Sequence, residues 1–157
     1  MKKLIASAFC IILLSSCGTS SNINSMVATL QLENPVPGIC NLQKVLYMLP
    51  FEGNGQIAAV PPMTSEELST KLNAEVDFLT QNPDHNDEGM VGILVNCKGK
   101  MVQCKIDNET QSPELDAQIV AVFAEMKQWK AGTFHGKATD TSVLYSFKIE
   151  EGVITLN

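Results

Sequence analysis

The stretch SPELDAQIVAVFAEMKQWKAGTFHGKATDTSVLYSFKIEEG, residues 112–152, decides the fold. Ser112 has the side chain of an N-cap, and Pro113 follows at the first helical position, where its missing N–H costs nothing. Glu114 and Asp116 then lie in the first turn, near the positive end of the helix. Leu115, Ile119, Val122, Phe123 and Met126 recur three or four residues apart, which puts them on one apolar face. Such a stripe is core before it is anything else. Trp129-Lys130-Ala131-Gly132 ends the helix, with Trp129 read as a core anchor at its exit. Val143, Tyr145, Phe147 and Ile149 then alternate along a strand, leaving Leu144, Ser146 and Lys148 on its other face. Glu150-Glu151-Gly152 breaks that strand, and a short tail follows.

Working back from this unit, residues 90–106 form a hairpin. Val91, Ile93 and Val95 alternate, and Lys98-Gly99-Lys100 is the turn. Residues 64–79 form a helix: Thr64 and Glu67 have capping-box spacing, and Leu68, Leu72, Val76 and Leu79 share a stripe. Between helix and hairpin, residues 83–89 read PDHNDEG, a solvated acidic loop in which His85 is exposed and matches no ligand spacing. Further upstream, residues 42–49 fit either a strand or a helical face, while 56–60 look extended. A short hairpin across the turn at 50–55 is favoured. The element order predicts an α+β fold: one small, mostly antiparallel sheet, two helices packed on one face, and an N-terminal hairpin extension.

The remaining sequence divides the chain further. Of 157 residues, 45% are hydrophobic, enough for one compact domain with short additions. Net charge is -6, and all eleven basic residues are lysines. An acidic chain without arginine argues against nucleic-acid recognition, which leans on arginine forks and basic patches. Lys2 and Lys3 precede an apolar run over 4–14 that is too short to span a bilayer. Leu14-Ser15-Ser16-Cys17 closes that run and resembles a bacterial lipobox. The expected organisation is a signal peptide over 1–16, a lipidated flexible tether over 17–36 beginning at Cys17, the hairpin extension over 37–62, and a main domain over 63–157. Loss of Lys2 and Lys3 would leave a mature charge of -8 (-6 minus 2). The acidic body should therefore stand off an anionic membrane. Within the tether, Gly18 to Glu33, about sixteen residues, reach roughly 55 Å at most. Its first acid is Glu33, not a run next to the cysteine, which favours an anchor in the outer membrane facing the periplasm.

Residues 63–154 are similar in order and spacing to the C-terminal domain of TonB-like proteins. The pieces that carry the resemblance are Val95-Asn96 leading into Lys98-Gly99-Lys100, then SPELD with its apolar helix, Trp129-Lys130-Ala131-Gly132, Gly136-Lys137, and a strand ending Phe147-Lys148-Ile149. The resemblance implies a protein-binding module whose last strand lies at a sheet edge and receives an extended partner peptide by strand addition. The matching positions are Val143, Leu144, Tyr145, Ser146, Phe147, Lys148 and Ile149. A cleaved, lipidated N-terminus and the lack of a long proline-rich spacer set this chain apart from a complete energy transducer. The alternative is a structural or assembly lipoprotein, homodimeric or with its edge capped by residues 39–60.

Three cysteines remain beyond Cys17, namely Cys40, Cys97 and Cys104, so one internal bridge at most can form. Cys104 should face Ile93 or Leu94 across the hairpin, out of reach of Cys97. Pairing of Cys40 with Cys97 or Cys104 is expected, the alternative being three thiols. No paired carboxylates, nucleophile–base set or phosphate loop is recognisable, so no enzyme activity, cofactor or metal is expected. The expected partners are the membrane, through the N-terminal lipid, and an envelope protein or extended peptide.

Overall fold

The computed structural model describes residues 28–32, 34–41, 45–47 and 55–157. The expected signal peptide, Cys17 and most of the tether lie outside the described residues. The elements in chain order are β1 (Ala28–Leu30), β2 (Val45–Tyr47), β3 (Gln56–Ile57), α1 (Ser65–Glu75), α2 (Asp77–Gln81), β4 (Asp87–Val95), β5 (Met101–Asn108), α3 (Pro113–Ala124), β6 (Thr133–Phe134), β7 (Lys137–Ala138), β8 (Thr141–Glu150) and β9 (Val153–Leu156). The fold is α+β. The main sheet runs β1-β2-β8-β4-β5, with β9 also on β8, and a small second sheet runs β3-β6-β7. The pairings are antiparallel except β2 with β8, which is parallel.

Both long helices begin as their first turns dictate. Thr64 and Glu67 make the reciprocal pair of bonds of a capping box. The Ser112 hydroxyl accepts from the Leu115 N–H at 3.3 Å. The single helix expected over 64–79 is instead two. Val76 takes an extended backbone (φ -87°, ψ 90°) between α1 and α2. The Phe78 N–H, freed by that break, donates to the Gln118 side chain of α3 at 2.9 Å. A tertiary bond thus replaces an intrahelical one.

The core lies between the helices and one face of the main sheet. Leu68, Leu72, Val76 and Leu79 meet Leu115, Ile119, Val122, Phe123 and Met126 over Val91, Ile93, Val95, Phe147, Ile149 and Ile154. Each fully buried large side chain contributes about 1.5–3 kcal/mol of transfer free energy. Trp129 belongs to this cluster, and its indole N–H donates to the Met126 carbonyl at 2.7 Å. Its backbone carbonyl closes on the hairpin turn: a Cβ at Gly99 would sit 2.3 Å from Trp129 O, and Gly99 has φ +74°. Only glycine allows the turn and the helix exit to meet this closely.

Four further expectations are corrected. Among the described residues, the expected hairpin across 50–55 is not seen: Val45–Tyr47 (β2) joins β8 in the main sheet and Gln56–Ile57 (β3) joins β6 in the small one. The later part of the expected tether is not free, because Ala28–Leu30 pairs with β2. The acidic loop is shorter than predicted, since Asp87 to Gly89 pair with Ile149 to Phe147, and His85 is half-buried against Phe78. The tail after Gly152 folds back as β9. The Glu151-Gly152 turn has positive φ at both residues, the backbone of a two-residue hairpin loop matched to strand twist.

Candidate functional site: the sheet edges and the arm crosslink

If recognition occurs by strand addition, the site must be an unpaired strand edge. The expectation that Val143 to Ile149 forms such an edge is not met by the topology. β8 pairs with β4 over its whole length, from Asp87↔Ile149 to Val95↔Thr141. On its outer side, Phe147 to Glu150 pair with β9, and Thr141 and Ser142 pair with β2. The Ser146 carbonyl accepts from the Asn157 N–H at 3.0 Å. Because NH and C=O groups alternate sides along a strand, this bond fixes Ser146, Leu144 and Ser142 as the outward-directed residues. Among the described residues, Leu144 alone stands between the two covering segments. The sequence could not show this, because the covering strands are short and lie more than 90 residues upstream or after the strand's own turn.

β9 does not expose its backbone either. The Asn73 side chain of α1 accepts from the Ile154 N–H at 2.9 Å and donates to the Ile154 carbonyl at 2.8 Å. The Ser69 hydroxyl accepts from the Leu156 N–H at 3.3 Å. A helix side chain therefore supplies the two bonds a neighbouring strand would make. Sequence reasoning missed Asn73 and Ser69, which look like ordinary polar positions on a helix.

The open long edge among the described residues is β5. The same alternation assigns its backbone. Since Ser146 faces outward, Tyr145 exchanges bonds with Val91, and Gly92 then exchanges with Lys105 in the β4–β5 ladder. Cys104 and Ile106 direct their N–H and C=O groups away from the sheet. The edge is interrupted at both ends. The register skips Val102 and Asp107, so two bulges bracket a regular run of Gln103, Cys104, Lys105 and Ile106. The Asp107 carboxylate folds over Gly92, where a Cβ would lie 2.8 Å from Oδ2, and ion-pairs with Lys105 at 2.9 Å. Bulges and edge charges of this kind limit unspecific pairing while leaving a short window. The Cys104 side chain points inward, and burial pushes its thiol up to about 11. It is a poor nucleophile at neutral pH.

Beside this edge, the arm formed by residues 28–41 crosses the face of the sheet opposite the helices. Leu30, Pro35 and Val36 roof a cleft of about 520 Å³ over Leu94, Gln103 and Lys105. The arm is fixed at one node. Cys40 and Cys97 form a disulfide with Cα atoms 6.1 Å apart, one of the two pairings left open by the sequence, and Cys104 is a free thiol. Asp140, 1% exposed, lies beside the bridge. Its carboxylate accepts from the N–H groups of Cys40 (3.1 Å), Asn41 (2.7 Å) and Cys97 (3.0 Å). Its carbonyl accepts from the Leu46 N–H at 2.9 Å. The Asn96 side chain adds a bond to the Gly38 carbonyl at 2.8 Å. Cys40, Cys97 and Asp140 are metal-compatible residue types with ligand atoms within 4.8 Å of one another. Here the two sulfurs are bonded to each other, and both carboxylate oxygens are used by backbone N–H groups, so the cluster acts as a fastening.

Among the described residues, no helix is long and apolar enough to cross a membrane. No protein-family model, curated protein or solved structure matches the chain.

Proposed function

We propose that this chain is a lipid-anchored module of the bacterial cell envelope that docks a partner peptide or protein by strand addition. Its anchor would be Cys17, its location the periplasmic side of the outer membrane, and it would lack the parts of a complete energy transducer. The observation that carries the reading is the β5 edge, where Cys104 and Ile106 present backbone groups with no strand partner among the described residues, on a strand paired to β4 on its other side. The TonB-like pattern of residues supports a docking module; the edge assigned to docking moves from the last long strand to β5. The reading involves no enzyme activity and no cofactor.

The test is Cys104→Pro in the oxidised protein. Proline removes the outward N–H without disturbing the ladder to β4, which is the condition under which an edge strand tolerates it. Crosslinking capture from envelope extracts should be lost in Cys104→Pro and kept in Cys104→Val. Equal capture by both would end the β5 reading.

A second reading is a structural or assembly lipoprotein. It is favoured by the way β2, β9 and Asn73 cover the edges of β8 and β9. On that reading β5 pairs with β5 of a second copy, and the delipidated protein is a stable homodimer by size. A monomer at micromolar concentration favours the docking module.

A further inference from the structure

We propose that the Cys40–Cys97 disulfide is a redox latch: its reduction by a dithiol loosens Gly38 to Asn41 and β2 and opens the outer edge of β8 at Thr141 and Ser142, beside Leu144, to an extended strand. The partner in this proposal rests on the docking reading, but the opening itself does not.

Among the described residues, the covalent and hydrogen-bonded fastenings of this segment to the main domain lie close together. On the arm they fall between Gly38 and Tyr47: the disulfide, the bonds from Cys40, Asn41 and Leu46 to Asp140, the bond to Gly38, and two register pairs between β2 and β8. On the domain they fall on Asn96, Cys97 and the start of β8. β2 is the strand that covers β8 at Thr141 and Ser142, next to the outward-facing Leu144. One covalent bond therefore controls whether that part of the edge stays covered. Val45 and Leu46 are fully buried and resist release, which is why a crosslink that keeps them at high local concentration decides the balance.

The bridge is open to attack on one side. Cys40 is exposed and Cys97 is half-buried. A reductant thiolate attacks Cys40 Sγ, the S–S bond breaks, and its electron pair leaves on Cys97 Sγ, which takes a proton. The reductant's second thiol gives up its proton and attacks the mixed disulfide at the reductant's own sulfur. Cys40 leaves as a thiolate and is protonated. Two electrons and two protons pass to the cystine, and the dithiol ends as a disulfide. Cys104, already a thiol, is unchanged, so the effect of the reductant among the described residues is confined to the latch.

The experiment compares hydrogen exchange in oxidised protein, protein held in dithiothreitol, and the Cys40→Ala/Cys97→Ala variant. The expected result is exchange on the order of 100-fold faster at Asn41 and Leu46 in the two unlinked forms, a size typical of losing an intramolecular link. Val91 and Ile93 in β4 should change little. A labelled peptide of residues 41–49 (NLQKVLYML), a copy of the arm, should bind the unlinked forms and not the oxidised protein. Unchanged arm exchange overturns the latch. Equal acceleration in β4 also overturns it, because the bridge would then hold the whole fold. Open arm amides with no peptide binding overturn the edge half of the proposal. The Cys104→Pro test uses oxidised protein and a different edge, so its failure is distinguishable from each of these.

Discussion

Replacing Asp140 separates the fastening into its parts. Its carboxylate carries three backbone N–H bonds of 2.7–3.1 Å and is 1% exposed, and among the described residues no lysine pairs with it. Among the described residues, the carboxylate is therefore held by backbone N–H dipoles. Each such bond to a charged acceptor contributes about 1.5–3 kcal/mol when buried, and nearer 1 kcal/mol where water can replace it, as beside exposed Cys40. Asp140→Ala leaves three donors without an acceptor and should cost about 3–4 kcal/mol. Asp140→Asn can keep its carbonyl oxygen on Cys40 and Cys97, but turns an NH2 toward the Asn41 N–H, so about 2 kcal/mol is expected. Urea denaturation of the oxidised protein measures this, with Trp129, the single tryptophan, as the buried fluorescent reporter. Hydrogen exchange at Cys40, Asn41 and Cys97 shows whether the loss starts at the node. A loss under about 1 kcal/mol for Asp140→Ala, or a larger loss for Asp140→Asn than for Asp140→Ala, would refute the assignment of the carboxylate as the acceptor that holds the arm.

Two further outcomes are expected. Asn73→Ala strips both backbone partners from Ile154 and should cost about 1–3 kcal/mol in a thermal melt; an unchanged melt would show that β9 does not need the helix amide. Burial raises the Cys104 thiol from 9.0 to about 11, so folding favours its protonated form. That contribution to stability is fully present below about pH 9 and is lost as pH rises toward 11. Relative to Cys104→Ala, the wild-type protein should lose melting temperature over that interval, and parallel pH curves would remove Cys104 from the account.

What the sequence made legible follows the range over which each signal acts. The capping box at Thr64, the Ser112 cap and the stripe from Leu115 to Phe123 are local signals, and the structure places them as read; the helix stops at Ala124, short of the expected exit at Trp129, so Met126 is buried as expected but from beyond the helix. The hairpin register was legible to within one residue: the turn placed Cys104 opposite Ile93 or Leu94, and it pairs with Ile93. The expected helix over 64–79 broke at Val76 because its continuation depends on Gln118, 40 residues further on. The strand edges were the least legible. Whether the β8 edge beside Leu144 is covered at Thr141 and Ser142 depends on Leu46 and Tyr47, and whether β9 is sealed depends on one asparagine in α1. Neither short strand carries enough alternation to announce its partner. The Cys40–Cys97 pairing was narrowed by the hairpin register and completed by the position of the arm.

The position of Cys40 also determines how the chain would bear mechanical load. A pull applied upstream of residue 28 reaches β1 first, and its three-residue pairing with β2 can peel one bond at a time. The load then arrives at Cys40 and passes through the sulfur bridge into the turn that ends β4. Once β1 has peeled from it, β2 lies downstream of that point and carries none of the tension. With β1, the cleft contacts and the Asn96–Gly38 bond released, the chain from residue 17 to residue 40 could extend to roughly 80 Å, at 3.3–3.6 Å per residue. The bridge therefore acts as a strain relief: the lead can pay out to a fixed stop, and the folded body behind the stop stays unloaded.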